Sequence, residues 1–119
     1  MPRMTSALFP KSGSIAIGSS TTDPVVMNQM TLCGIITGST LSASTLSFLV
    51  SNDGDTYYPL FGTSGSEITI SASPMARGYA LETGNYFPWQ FVKLREGTSA
   101  SAVLQASNNA DVTFLLRSL

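Results

Sequence analysis

Apolar and polar residues alternate with a period of two over short stretches of this sequence, and that alternation constrains the fold more than any other feature. In the clearest stretch, Leu46, Phe48 and Val50 share one face of a strand, while Ser47 and Ser51 share the other. Successive side chains of a strand point to opposite faces, whereas a helix repeats its apolar positions about every 3.6 residues. No segment of helical length has the helical period, so the sequence predicts an all-β protein.

Turn-forming residues separate the alternating stretches. The tetrapeptide 52–55, Asn-Asp-Gly-Asp, tolerates positive φ and predicts a hairpin between the strands on either side of it. The pattern places strands at 14–17, 29–37, 44–51, 56–61, 67–71, 89–95, 103–107 and 111–117, with a short strand at 79–81. About seven to eight short antiparallel strands at this spacing indicate a β-sandwich, and the number suits a jelly roll. A closed barrel is the alternative.

A length of 119 residues allows one domain. We assign residues 13–119 to the sandwich and residues 1–12 to an extended N-terminal arm. Leu8, Phe9 and Pro10 have no apolar partner within the arm, so we predict that they contact a neighbouring subunit. The first residues lack the apolar core of a secretory signal, and no run approaches the ~18 apolar residues of a membrane span. We therefore expect a chain that is assembled in the cytoplasm and does not enter a membrane.

The residues that usually carry catalysis are scarce. The sequence has no histidine, so its many serines lack the commonest general base, and its single cysteine excludes an internal disulfide. We expect the carboxylates to be solvated in turns or on exposed strand faces; the candidates are Asp53, Asp55, Glu67, Glu82 and Glu96. The sequence therefore predicts no catalytic residue, no metal ligand and no cofactor.

Charge is also scarce, at 11% of residues and a net value of −1, while serine and threonine make up 31 positions. Such a surface has no basic patch to bind nucleic acid, and it lacks the repulsion that keeps monomers apart. A role in an assembly fits this composition. Among the aromatic residues, we predict Tyr57, Tyr86 and Phe87 as interface residues and Trp89 as a residue that closes the core. Tyr57 and Tyr58 point to opposite faces, so at least one of them is expected to be exposed.

Two phrases of the sequence resemble a known family. Residues 46–60, LSFLVSNDGDTYYPL, resemble a recurring hairpin of the form strand, S-x-D-G-x-x-[FY], strand; residues 91–99, FVKLREGTS, resemble its usual companion. The pair is similar to the capsid decoration (cement) proteins of tailed bacteriophages, over roughly residues 41–119. This resemblance implies a jelly-roll-like sandwich, often a homotrimer, on the outside of the virion head, where it bridges subunits of the major capsid protein and stabilises the shell.

Two other functions remain open. Tail, baseplate and head-fibre proteins reuse sandwich folds, because a fold does not fix a function. A carbohydrate-binding module would also be a sandwich, and it would present a planar row of exposed rings. Tyr57, Tyr86 and Trp89 are the residues from which such a row could be built.

Overall fold

Nine β-strands and one 3-10 turn make up the regular structure of residues 8–72, 76–106 and 108–118, the part of the chain that the computed structural model describes. The strands are β1 (Leu8–Ile15), β2 (Val25–Val26), β3 (Met30–Thr37), β4 (Thr45–Ser51), β5 (Tyr58–Pro59), β6 (Thr69–Ser71), β7 (Gly78–Ala80), β8 (Phe91–Glu96) and β9 (Ala110–Ser118). The 3-10 turn is Thr83–Asn85. Within these ranges no helix is long and apolar enough to cross a membrane.

The strands form two antiparallel sheets with the order of a jelly roll. The first sheet has the order β1-β9-β3-β7, and the second has the order β2-β8-β4. Strands β5 and β6 both pair with the remaining edge of β4, β5 at Leu49 and Val50 and β6 at Thr45 to Ser47. Together they take the place of one strand, so the sheets have four positions each, as in an eight-stranded jelly roll. The predicted β-sandwich is confirmed.

The core lies between the inward faces of the two sheets, and the alternation in the sequence identified most of it. The predicted inward residues of β4, β8 and β9 are all buried: Leu46, Phe48, Val50, Val92, Leu94, Val112, Phe114 and Leu116. Burial of each such side chain stabilises the fold by about 1.5–3 kcal/mol. Ile68 and Ile70 are half-buried and pack against the same cluster. The predicted turn at 52–55 is also found, with Gly54 at φ 81.

The first strand begins earlier than predicted. We placed it at 14–17 after an arm of residues 1–12, but β1 runs from Leu8 to Ile15 and pairs with β9 along its whole length. Residues 8–12 of the predicted arm therefore belong to the sheet, and residues 1–7 lie outside the described residues. The alternation missed this start because both faces of β1 are largely exposed from Leu8 to Ser12, so no apolar face marks the strand.

The strand predicted at 103–107 is wrong for the residues described there. Val103 donates its backbone N–H to the Glu96 carbonyl, and Gln105 donates to the Ser19 carbonyl. Residues 102 and 105 make only isolated bridges, and β9 pairs with β1 and β3 instead. The local sequence cannot show whether residues 103–105 pair with β9 or with other segments, because either pairing satisfies the same backbone groups. The two-residue strand β2 was not predicted at all.

Candidate protein-binding surface

Strand register brings the beginning of β1 to the same end of the first sheet as the beginning of β3. Leu8 lies opposite Arg117, the next-to-last residue of β9, and Met30 lies opposite Ser118. Thr31, the second residue of β3, donates its hydroxyl to the Thr83 carbonyl. This contact places the 3-10 turn and the residues after it at the same end.

The second sheet contributes its own residues to this end of the sandwich. Phe91, the first residue of β8, lies opposite both Val26 of β2 and Ser51, the last residue of β4. Tyr58 of β5 pairs with Val50, the residue of β4 that precedes Ser51. We call the region the aromatic end; its exposed large apolar side chains are Leu8, Phe9, Val26, Tyr58 and Phe87. The other exposed large apolar side chains of the described residues are Ile17 and Leu104 at the opposite end, and Ile36 and Phe61.

Four of the six predicted interface residues are exposed at the aromatic end. Leu8, Phe9 and Pro10 are exposed on β1, and Phe87 is 61% exposed just after the 3-10 turn. Leu8 and Phe9 point to opposite faces of β1, because they are successive residues of one strand. Eight contiguous residues of β9, Ala110 to Arg117, pair with this strand, so the apolar side chains stand on a backbone fixed by hydrogen bonds.

Phe9 is exposed even though it shares the inward face of β1 with the fully buried Ile15. Its neighbourhood forms a groove of about 650 Å³, lined by Phe9, Asn28, Gln29, Met30 and Ser118. Asn28 and Gln29 have φ values of 50 and 66, and the N–H of Met30 bonds to the Met27 carbonyl. This is the geometry of a type I′ turn. Positive φ strains Gln29, since that conformation favours glycine.

Tyr86 is a core residue, so its prediction as an interface residue is wrong. Its ring is 1% exposed and meets Phe48 edge to face, with 5.1 Å between the ring centroids and 74° between the ring planes. Burial raises the pKa of its hydroxyl. This burial was not predictable from alternation, because Tyr86 lies outside any alternating strand. The 3-10 turn directs its side chain inward, where it closes the aromatic end of the core.

Tyr57 is half-buried, and one face of its ring is occupied. The ammonium nitrogen of Lys93 lies 4.3 Å from the ring centroid, a cation–π contact. Its hydroxyl is buried and has no hydrogen-bond partner among the described residues. Burial raises the pKa of this hydroxyl, and the charges of Asp53 and Asp55 raise it further. Tyr58 is exposed, as expected for one of the two adjacent tyrosines.

The planar row of rings needed for sugar stacking is not assembled from the three residues considered for it. Tyr86 is buried, Tyr57 is covered on one face by Lys93, and Trp89 is half-buried against the core. Trp89 thus packs where the sequence placed it. Among the described residues no group of three or more cysteine or acidic side chains could hold a metal ion.

Two of the carboxylates that we expected to be solvated are covered. Glu96 is 0% exposed and points inward, and its Oε1 accepts the backbone N–H groups of Ser42 at 2.7 Å and Ala43 at 2.9 Å. The alternation could have found it, because Glu96 has the same parity as Val92 and Leu94. We had instead assigned Glu96 to the turn that follows the strand.

The second covered carboxylate, Glu67, lies on the outward face of the second sheet. Its Oε2 is 2.7 Å from Nη2 of Arg95, and its oxygens also accept the N–H and hydroxyl of Ser99. Arg95 lies on the same outward face but is only 8% exposed, and its Nε donates to the Ser47 hydroxyl. The loop after Gly97 covers this network, a long-range contact that alternation along β8 cannot reveal.

No family model matches this sequence, and a comparison with curated proteins finds no match. Among solved structures, the chain is weakly similar to a mitogen derived from Yersinia pseudotuberculosis, with a TM-score of 0.42 and 13% identity, over 97% of this chain and 88% of that one. A likeness of this degree carries no argument about function.

Proposed function

We propose that this chain is a non-enzymatic structural protein of a tailed-phage virion that binds the outside of the capsid and stabilises it by bridging subunits of the major capsid protein. The observation that carries the proposal is the aromatic end, to which five of the nine exposed large apolar side chains of the described residues belong: Leu8, Phe9, Val26, Tyr58 and Phe87. Exposed apolar side chains grouped in one region mark protein-binding surfaces. Aromatic residues supply most of the binding energy in such interfaces.

The composition supports the same function. With 13 charged residues in 119, the chain has little repulsion to prevent close packing in an assembly. A protein that binds only the assembled shell stabilises that shell by mass action, and several copies around one axis add avidity. We propose a homotrimer in contact with the major capsid protein on the exterior of the head. Light scattering of the purified protein would then give about three times 12.6 kDa.

Co-sedimentation with expanded, undecorated heads tests the proposal. The heads are purified from the phage that encodes the chain, and the fraction bound is measured against protein concentration. Binding at micromolar concentration or tighter, with increased resistance of the heads to heat, is the expected result. No binding at that concentration would overturn the proposal.

Paired substitutions locate the surface. Phe87 and Leu104 are both 61% exposed but lie at opposite ends of the sandwich. Phe87→Ser removes an anchor from the aromatic end and should weaken binding about tenfold or more, since truncation of an interface anchor typically costs more than about 1 kcal/mol. Leu104→Ser is the matched control and should bind like the parent. Equal effects of the two substitutions would remove the aromatic end as the binding surface.

A further inference from the structure

The first sheet has one long free edge, which is unusual for a stable sandwich. β1 pairs with β9 on one side only, over eight residues. The edges of both sheets elsewhere in the described residues are short: β7 has three residues, β2 has two, and β5 and β6 have two and three. A free edge presents backbone N–H and C=O groups that can pair with another chain.

Pro10 fixes which backbone groups of β1 are available. Proline has no N–H, so within a sheet it occurs on edge strands with its nitrogen directed away from the neighbouring strand. Alternate residues of a strand direct their backbone groups to the same side. The backbone N–H and C=O groups of Ser12 and Ser14 therefore point to the free edge, while those of Lys11 and Gly13 bond to β9.

A groove lies directly along this part of the edge. It has a volume of about 500 Å³ and runs between residues 11–14 of β1 and residues 23–25, with Phe114 at its base. Gly13 lets the Phe114 ring pack closely against β1, because a Cβ at this position would lie 2.8 Å from that ring. An extended segment lying in the groove would continue the first sheet through Ser12 and Ser14.

Charged residues of both signs line the groove, namely Lys11, Asp23 and Asp111. Lys11 is exposed on the β1 wall, and Asp23 is exposed on the facing wall. A strand in the groove directs every second side chain to the inner side. A segment with an acidic residue beside Lys11 and a basic residue two positions away, facing Asp23, would satisfy both charges.

We propose that β1 accepts an extended segment of the capsid partner by strand addition, with backbone hydrogen bonds at Ser12 and Ser14 and charge pairing at Lys11 and Asp23. This inference rests on the proposed function. Main-chain hydrogen bonds supply affinity in this mode of recognition, and alternate side chains supply specificity. Pro10 and Lys11 are also residues that protect sheet edges from indiscriminate pairing. Here they confine pairing to the Ser12–Ser14 half and to a strand of suitable charge.

The decisive variant is Ser12→Pro, which removes the outward N–H and leaves the bonds to β9 intact. Pro10 lies two residues earlier in β1 and directs its nitrogen to the same side, so the fold should persist with proline at position 12. Circular dichroism and thermal unfolding check this. Binding to undecorated heads should weaken tenfold or more. Ser12→Ala, the matched control, keeps the N–H and should bind like the parent. Parental affinity of a folded Ser12→Pro would overturn strand addition, while leaving the proposed function supported.

Amide exchange tests the edge independently of any capsid. In the free protein, the N–H groups of Ser12 and Ser14 should exchange much faster than those of Lys11 and Gly13, and on bound heads they should become protected. Slow exchange at Ser12 in the free monomer would overturn the inference. If the unsubstituted protein itself does not bind heads, the proposed function is rejected instead.

Charge reversal tests the proposed charge pairing at Lys11. Lys11→Glu should weaken binding to heads about tenfold, while Arg77→Glu makes the same change of net charge at an exposed position outside the groove and should have little effect. Equal effects would show that only net charge matters. A dimer in solution that Ser12→Pro dissociates would show that a second copy of this chain occupies the edge, and would overturn the assignment to the capsid partner.

Discussion

Glu96 Oε1 accepts the backbone N–H of Ala43 at 2.9 Å inside the sandwich, so a carboxylate at the end of β8 holds the loop between β3 and β4. Both residues are buried, and the same oxygen accepts the N–H of Ser42. The second oxygen, Oε2, is buried without a hydrogen-bond partner among the described residues. The loop is thus held by one oxygen atom of a side chain 53 positions away, together with Gln105, whose Oε1 also accepts the N–H of Ser42 and whose Nε2 donates to the Thr40 carbonyl.

Glu96→Ala should lower the free energy of unfolding by about 1–3 kcal/mol or more, because the N–H of Ala43 is then buried without an acceptor. Glu96→Gln should lose less, since its carbonyl oxygen can still accept that bond. Urea unfolding followed by fluorescence gives both values. Equal losses for the two variants would show that the negative charge, and not the hydrogen bond, holds the loop.

Gly97 and Gly65 provide a matched pair for steric restriction. Both have φ 88, but a Cβ at Gly97 would overlap the carbonyl oxygen of Ser101, whereas a Cβ at Gly65 would meet nothing within 4 Å. Gly65→Ala should cost about 1–2 kcal/mol for the left-handed backbone alone. Gly97→Ala should cost a further ~1–3 kcal/mol for overpacking. Similar unfolding midpoints for the two variants would contradict the close approach at Gly97.

Adjacent residues Tyr86 and Phe87 should respond in opposite ways to truncation. Tyr86→Ala removes a buried ring from its contact with Phe48 and should cost about 3–5 kcal/mol. Phe87→Ala changes an exposed side chain and should stay within about 0.5 kcal/mol of the parent. Thermal and urea unfolding measure both. A large loss at Phe87 would mean that this ring is part of the core and is not available to a partner.

The hairpin turn should lose stability in acid through Asp53. The N–H groups of Thr56 and Asp55 and the hydroxyl of Ser51 all donate to its carboxylate, and these bonds lower its pKa below the usual 3.8. A depressed folded-state pKa gives stability that is present above the unfolded pKa and is lost as pH falls through the folded pKa. Asp53→Asn should therefore unfold with less dependence on pH between about 5 and 2.5. The same pH dependence in both proteins would exclude Asp53 as a contributor.

Part of the fold was predictable because its cause is local. Alternation at Leu46, Phe48 and Val50 marks a strand with one buried face, and the Asp-Gly turn after it accommodates positive φ wherever the strand lies. The exposure of Phe9 was predictable for a related reason, since residues 1–12 offer Leu8, Phe9 and Pro10 no apolar partner within their own length. These features depend on a few consecutive residues.

The sequence by itself therefore determined the all-β class and the main inward faces, because both follow from the period of the strand. Only the tertiary structure decided that Tyr86 is in the core, that Glu96 holds a distant loop and that Leu8 begins a paired strand. In each case the deciding partner is far away in the chain. Burial and backbone pairing depend on which segments meet, and alternation describes only the two sides of one segment.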